Sequence, residues 1–134
     1  MLTNADITVF NKHYNEETRL DEWRKTQISG VNWYGKQAVS VGDNGLMSAD
    51  QYIVRIPVSS APDDKTFVTP EKYAAADRAA LPNLWTLQNG DIVARGMVGA
   101  DDPKSIPCKH FLITGWADNR RGSPAVQHWK VEGK

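Results

Sequence analysis

Apolar and polar residues alternate over most of this chain, and turn residues interrupt the alternation at short intervals. From Ile7 to Tyr14, Ile7, Val9 and Asn11 alternate with Thr8, Phe10 and Lys12. Apolar residues stand on both sides of that period of two, which predicts a strand covered on both faces near one end. Asn15-Glu16-Glu17 reads as the turn after it. Between Asp21 and Tyr34 the apolar parity changes across Gly30, with Ile28 even and Val31 and Trp33 odd. A bulge or bend at Gly30 restores one inward face. A further bend is expected at Gly35. Val39 and Val41 alternate up to Asp43-Asn44-Gly45, whose Asn-Gly pair suits the positive φ of a tight turn. Tyr52, Val54, Ile56 and Val58 then share one face, with Gln51, Ile53, Arg55 and Pro57 on the other. This is the clearest strand of the chain, and Pro57, which has no N–H, places its end at a sheet edge.

Residues 59–90 are the least sheet-like. Ser59 to Asp64 reads as a loop. Thr69-Pro70-Glu71 is a helix start, with a hydroxyl cap and proline at the first helical position. Tyr73, Ala76 and Ala80 have helical spacing, and Leu81-Pro82 ends the segment. One short helix laid over the sheet is expected. Leu84 to Leu87 is a brief apolar run before a second Asn-Gly turn at Asn89-Gly90. Ile92–Val98, Phe111–Trp116 and Val126–Val131 read as strands, with a bend or close backbone approach at Gly96. Gly99 to Pro107 and Asp118 to Pro124 read as polar connections. Roughly six or seven short strands, with turns every 8 to 15 residues or so, predict an all-β domain: a small antiparallel barrel or sandwich with one short helix and long loops.

Composition narrows the class. The 134 residues make one domain, 1–134, with 40% hydrophobic and 24% charged residues, as in globular chains. Lys+Arg and Asp+Glu are both 16, so no basic excess points to duplex nucleic acid. One cysteine excludes an internal disulfide framework. Met1 to Asp6 has neither the basic region nor the apolar run of a secretory signal, and no stretch is long enough to span a membrane.

The candidate chemistry is sparse. Cys108 and His110 are two residues apart and could face one way on a strand, but a third or fourth ligand would have to come from His13 or a distant aspartate. His128 is the remaining histidine. No nucleophile elbow, P-loop or dinucleotide fingerprint is present. The pairs Asp63-Asp64 and Asp101-Asp102 fit polar turns better than paired-carboxylate chemistry. Arg120-Arg121 forms a basic loop tip, with Lys104, Lys109, Lys130 and Lys134 in the same third of the chain. Such a loop can meet a phosphate or an acidic partner. Trp23, Trp33, Trp85, Trp116 and Trp129 read first as core rings, and one or two of them as interface anchors. A base- or carbohydrate-stacking platform is a further option.

Three phrases carry a resemblance: Gly30-Val31-Asn32-Trp33-Tyr34-Gly35-Lys36-Gln37-Ala38, Trp85-Thr86-Leu87-Gln88-Asn89-Gly90-Asp91-Ile92-Val93, and Asp118-Asn119-Arg120-Arg121-Gly122-Ser123-Pro124 running on through Gln127-His128-Trp129-Lys130-Val131. Together they resemble a family of small proteins of unassigned role from tailed phages and prophages of gut Firmicutes, encoded in the head–tail morphogenesis region. The resemblance implies a virion structural protein, a head-closure (stopper) or head–tail connector subunit. Such a subunit is a small β-barrel that forms a ring with copies of itself and meets portal, connector or tail proteins. It implies no enzymatic activity, no cofactor and no membrane partner, and at most transient contact with genomic DNA in the channel. The expected location is the virion, and the host cytoplasm during assembly. Trp33, Trp85, Arg120 and Arg121 are the expected interface residues, and the loops 59–70 and 99–109 are candidate docking elements. A tail-completion or minor capsid protein of the same region is the nearest alternative. A small barrel binding single-stranded nucleic acid or carbohydrate is the next.

Overall fold

The parity change at Gly30 is where the fold is decided. A computed structural model describes residues 3–42, 45–77, 79–99, 103, 106 and 109–134, and their side chains outside 36–50 and Pro124. In it, β1 (Ala5–Asn15) pairs antiparallel with β2 (Leu20–Gly42). Ala5 faces Val31 and Asp6 faces Ser29, so Gly30 is an extra residue, held at φ +83°. The bulge moves the inward positions of β2 from even (Thr26, Ile28) to odd (Val31, Trp33), all four of them buried. Asp6 fixes it by accepting hydrogen bonds from the Gly30 N–H and the Ser29 hydroxyl.

The remaining elements are β3 (Gly45–Pro57), β4 (Thr66–Phe67), α1 (Pro70–Ala75), β5 (Leu84–Trp85), β6 (Ile92–Arg95), β7 (His110–Asn119) and β8 (His128–Gly133). Six strands close a barrel in the order β1-β2-β3-β8-β7-β6, with β6 returning to β1, and every pairing in it is antiparallel. Closure leaves Pro57 opposite His128 of β8. The edge expected there does not exist, and Pro57 sits instead at a strand end, where the following N–H, of Val58, bonds Gln127 O. No bend interrupts β2 at Gly35, which pairs with Tyr52. Of the expected turn Asp43-Asn44-Gly45, Asp43 and Asn44 lie outside the described residues.

The interior is filled by Ile7, Val9, Ile28, Val31, Val54, Ile56, Val93, Ile113 and Val131, and by two groups of rings. Trp33, Tyr52 and Phe111 form one, with centroids 5.2–5.8 Å apart. Phe67, Trp85, Trp116 and Trp129 form the other. The second group shows what residues 59–90 do. The segment supplies Phe67, Trp85 and Leu87 to the core, and β4 and β5 form a small parallel pair that carries the rings inward. The helix begins at Thr69-Pro70 as its sequence suggests, but it ends at Ala75, short of the expected Ala80. Tyr73 is its only buried residue, and the alanines beyond it offer no apolar face to bury.

The outer face of β1 is covered as well. Phe10 packs with Ala94 and Val98, bordered by Trp23, Ile92 and Ile106. The Thr8 hydroxyl donates to Gly96 O and accepts from Val98 N–H. This is the two-sided strand that the alternation predicted.

Two glycines are obligatory for different reasons. Gly30 needs the left-handed region, and a Cβ there would also come within 3.2 Å of the Ser60 hydroxyl. Gly133 lies where β8 crosses the bulge of β7 between Ile113 and Gly115, and a Cβ would overlap the backbone carbonyl of Leu112. Gly30→Ala is expected to lower the unfolding free energy by about 1–2 kcal/mol. Gly133→Ala should cost more, about 3 kcal/mol, because backbone has to move. Equilibrium urea unfolding of the two variants checks the order.

Candidate functional site

Beyond Val9 and Ile28 the inner face of the barrel turns polar. The register sets Val9 against Thr26, Asn11 against Arg24 and His13 against Glu22, and cross-strand partners share a face. The odd positions that carried Ile7 and Val9 continue as Asn11, His13 and Asn15, which gives this end of the barrel a polar mouth.

A buried network closes it. The Asn11 amide donates to Thr86 O (2.6 Å) and to Asp91 Oδ2 (2.8 Å), and its carbonyl accepts from Thr86 N–H (3.2 Å). Asp91 Oδ1 accepts from the Lys12 backbone N–H (3.1 Å) and from Gln88 Nε2 (3.0 Å). The Thr86 hydroxyl donates to Val68 O. Asp91 is 1% exposed. Burial pushes its carboxyl up to about 6, against the three hydrogen bonds and the Lys12 charge, which favour the ionised form. Both of its oxygens are occupied by internal donors, so the arrangement serves to hold the 84–91 segment on β1.

Tyr73 reaches the same mouth from α1. Its ring lies edge-on to His13 at 5.6 Å. The side chain is 1% exposed, and burial raises the phenol to about 12 while the Arg24 charge pulls the other way. The Tyr73 hydroxyl, His13 Nε2 and Arg24 Nε are buried with no hydrogen-bond partner among the described residues. Lys65 donates to Lys25 O and to the Thr26 hydroxyl, and burial lowers its pKa. Outside lies an open cleft of about 380 Å³, lined by His13, Glu16, Glu22, Ala75 and Asp77 among others.

The expected interface residues fall in three places. Trp85 is 0% and Trp33 5% exposed, each inside one of the ring groups, so neither presents a surface to a partner. Arg120 is at the surface but engaged within the chain. Its guanidinium lies 5.2 Å from the Phe67 ring and 5.3 Å from the Trp129 ring, and it donates to Asp118 at 2.8 and 2.6 Å. Those hydrogen bonds hold the Asp118 carboxyl below its usual range. Arg120 thus covers the group that contains Trp85. Arg121 is exposed beside it, over a shallow hollow with Val58, Asn119 and Gln127.

The histidines are dispersed. His13 lies at the mouth, His110 is exposed on β7, and His128 at the start of β8 contacts Asn119 and Val126 O. Cys108, Asp101-Asp102 and Lys104 lie outside the described residues, as does most of the loop 99–109. Among the described residues no group of three His, Cys, Asp or Glu could hold a metal ion. In the loop 59–70, Asp63 and Asp64 are exposed and Lys65 is tied to β2.

One element is absent from the expectations. Past the barrel, β2 and β3 continue as a two-stranded arm, paired from Lys36 with Gln51 to Gly42 with Gly45. On the β2 side, β1 pairs only as far as Val31. The Asn4 side chain then carries the ladder two residues on, bonding Trp33 N–H and O. On the β3 side, β8 stops where Gly133 meets Tyr52. The signal was in the sequence, because apolar residues recur at odd positions from Val31 to Val41, interrupted only by Gly35 and Gln37.

The fold is therefore a closed six-stranded antiparallel barrel with a plug segment and a projecting arm. The chain belongs to the family of unknown function DUF6751, whose model matches residues 2–134. No curated protein and no solved structure matches it.

Two outcomes follow from this geometry. Because the Asp91 pKa is raised on folding, its proton stabilises the fold below about pH 4, and that contribution is lost as pH rises through about 6. The advantage of wild type over Asp91→Asn should therefore shrink by about 3 kcal/mol from well below the first limit to well above the second, measured by urea unfolding across the range. Arg120→Ala should lower stability by about 1 kcal/mol, and Arg120→Lys should recover only part of it, since a lysine cannot both stack and bridge Asp118 through two nitrogens. Thermal melts of the three proteins check this.

Proposed function

We propose that this protein is a structural subunit of a tailed-phage particle. In this reading it is a head-closure or head–tail connector protein that acts by ring assembly and without catalysis. The observation that carries the reading is the arm. A barrel already filled by its own side chains carries, in addition, extensions of β2 and β3 that no other strand covers among the described residues. An isolated two-stranded ribbon is marginal in water, which suits a chain that completes its structure among neighbours. The phrases around Trp33, Trp85 and Arg120 support the same assignment through the family they resemble. Arg120 and Arg121 are the exposed contact residues of that reading.

The rings of Trp33, Trp85 and Trp129 are buried, which leaves the partly exposed Trp23 and Trp116 as the rings that a stacking platform would use. Head closure and tail completion differ by partner. Purified particles imaged by electron microscopy should hold several copies of this barrel around the channel at the head–tail junction. Their absence from the particle would refute the proposal, and density at the end of the tail tube would select tail completion instead.

A further inference from the structure

The arm has two edges, and they are different. The β2 edge from Gly35 to Gly42 and the β3 edge from Gly45 to Gln51 have no strand beside them among the described residues. Free edges invite pairing, and proteins that must stay apart blunt them with lysine, proline or a bulge. Beyond Lys36, at its base, the arm has none of these devices. Its pairing runs without a register shift, and between Lys36 and Asp50 the sequence has no proline and one charged residue, Asp43. A segment so poor in charge suits neither a phosphate backbone nor a charged peptide. It offers backbone donors and acceptors, together with small and apolar residues such as Val39, Val41 and Leu46.

We infer that the arm takes a second copy of this chain, with the β2 edge of one copy pairing with the β3 edge of the next. The inference rests on the ring-assembly reading above and gives that ring its joint. The ring reading selects this pairing over a two-fold one, in which the second copy is turned over. Within the arm β2 and β3 are antiparallel, so arms set side by side in one orientation bring β2 against β3 antiparallel at every junction. Each copy gives one edge and receives the other. That makes a heterologous contact, which propagates and closes as a ring when the rotation permits. Two-fold pairing through one kind of edge alone would stop at two copies.

The test uses the full chain in sedimentation velocity and native mass spectrometry over a wide concentration range. Wild type should pass beyond the dimer as concentration rises, and amide exchange over 35–42 should slow in step. Val39→Lys blunts the β2 edge and Met47→Lys the β3 edge. Each should associate roughly a hundredfold more weakly, with an unchanged melting temperature, because both positions lie outside the barrel. An equal mixture of the two retains one competent pair of edges and should form a dimer and nothing larger. Three results overturn the inference: a wild type that stays monomeric or stops at the dimer, variants that associate as wild type does, and a mixture that fails to pair. If these occur while particles hold the barrel at the junction, the edge pairing fails and the function stands. If the arms pair but the particles lack the chain, the edge pairing stands and the function fails.

Discussion

The hydrogen-bonded pair of Asn11 and Asp91 holds together what the rest of the barrel depends on. The closing strand, β6, has only four residues, Ile92–Arg95. A ladder that short is a weak seam between β1 and the returning sheet. Asp91 stands immediately before it and is bound to the Asn11 side chain and to the Lys12 backbone of β1. Thr86, bound to the same Asn11 amide, stands immediately after Trp85. One side chain of β1 therefore positions both the seam and the plug. Burying that carboxyl carries a desolvation cost, seen in its raised pKa. The position tolerates the cost because no apolar side chain could satisfy the donors that face it.

Much of the barrel was legible because alternation is a local signal. The bulge at Gly30 could be read from a change of parity, since only an extra residue lets Ile28 and Trp33 face the same way. The start of the helix at Thr69-Pro70 was equally local. The plug was not legible. Phe67 and Leu87 reach the core through contacts with strands far along the chain, and nothing near them in sequence marks that destination. The edge expected at Pro57 failed for a related reason: an absent N–H excludes the middle of a sheet, but it cannot say that the sheet closes on itself. Asp91 could be read as a turn residue, but its partnership with Asn11 spans 80 positions.

The interface residues divide along the same line. Tryptophan and arginine are typical of binding hot spots, and they are also typical of filled cores and of their covers. Composition cannot separate those roles. Here Trp33 and Trp85 are core, and Arg120 is the cover of a core, held on two rings by Asp118. Arg121, with no such fixture, is left at the surface. The uncovered surface of the fold is instead a length of paired strand, made of ordinary residues with no distinctive chemistry of their own.

The pairing of β1 with β6 joins Ile7 to Arg95, and that separation governs how the molecule is made. The β1–β2–β3 meander consists of neighbours in sequence and can form early, whereas the seam waits for a long loop to close. Before that closure the sheet is open, and the β1 margin has no partner strand. Contact order therefore makes the docking of the 84–95 segment the expected late step of folding. Until it is complete, the chain is exposed to sticking to its siblings in the wrong way, through a margin that the finished molecule hides.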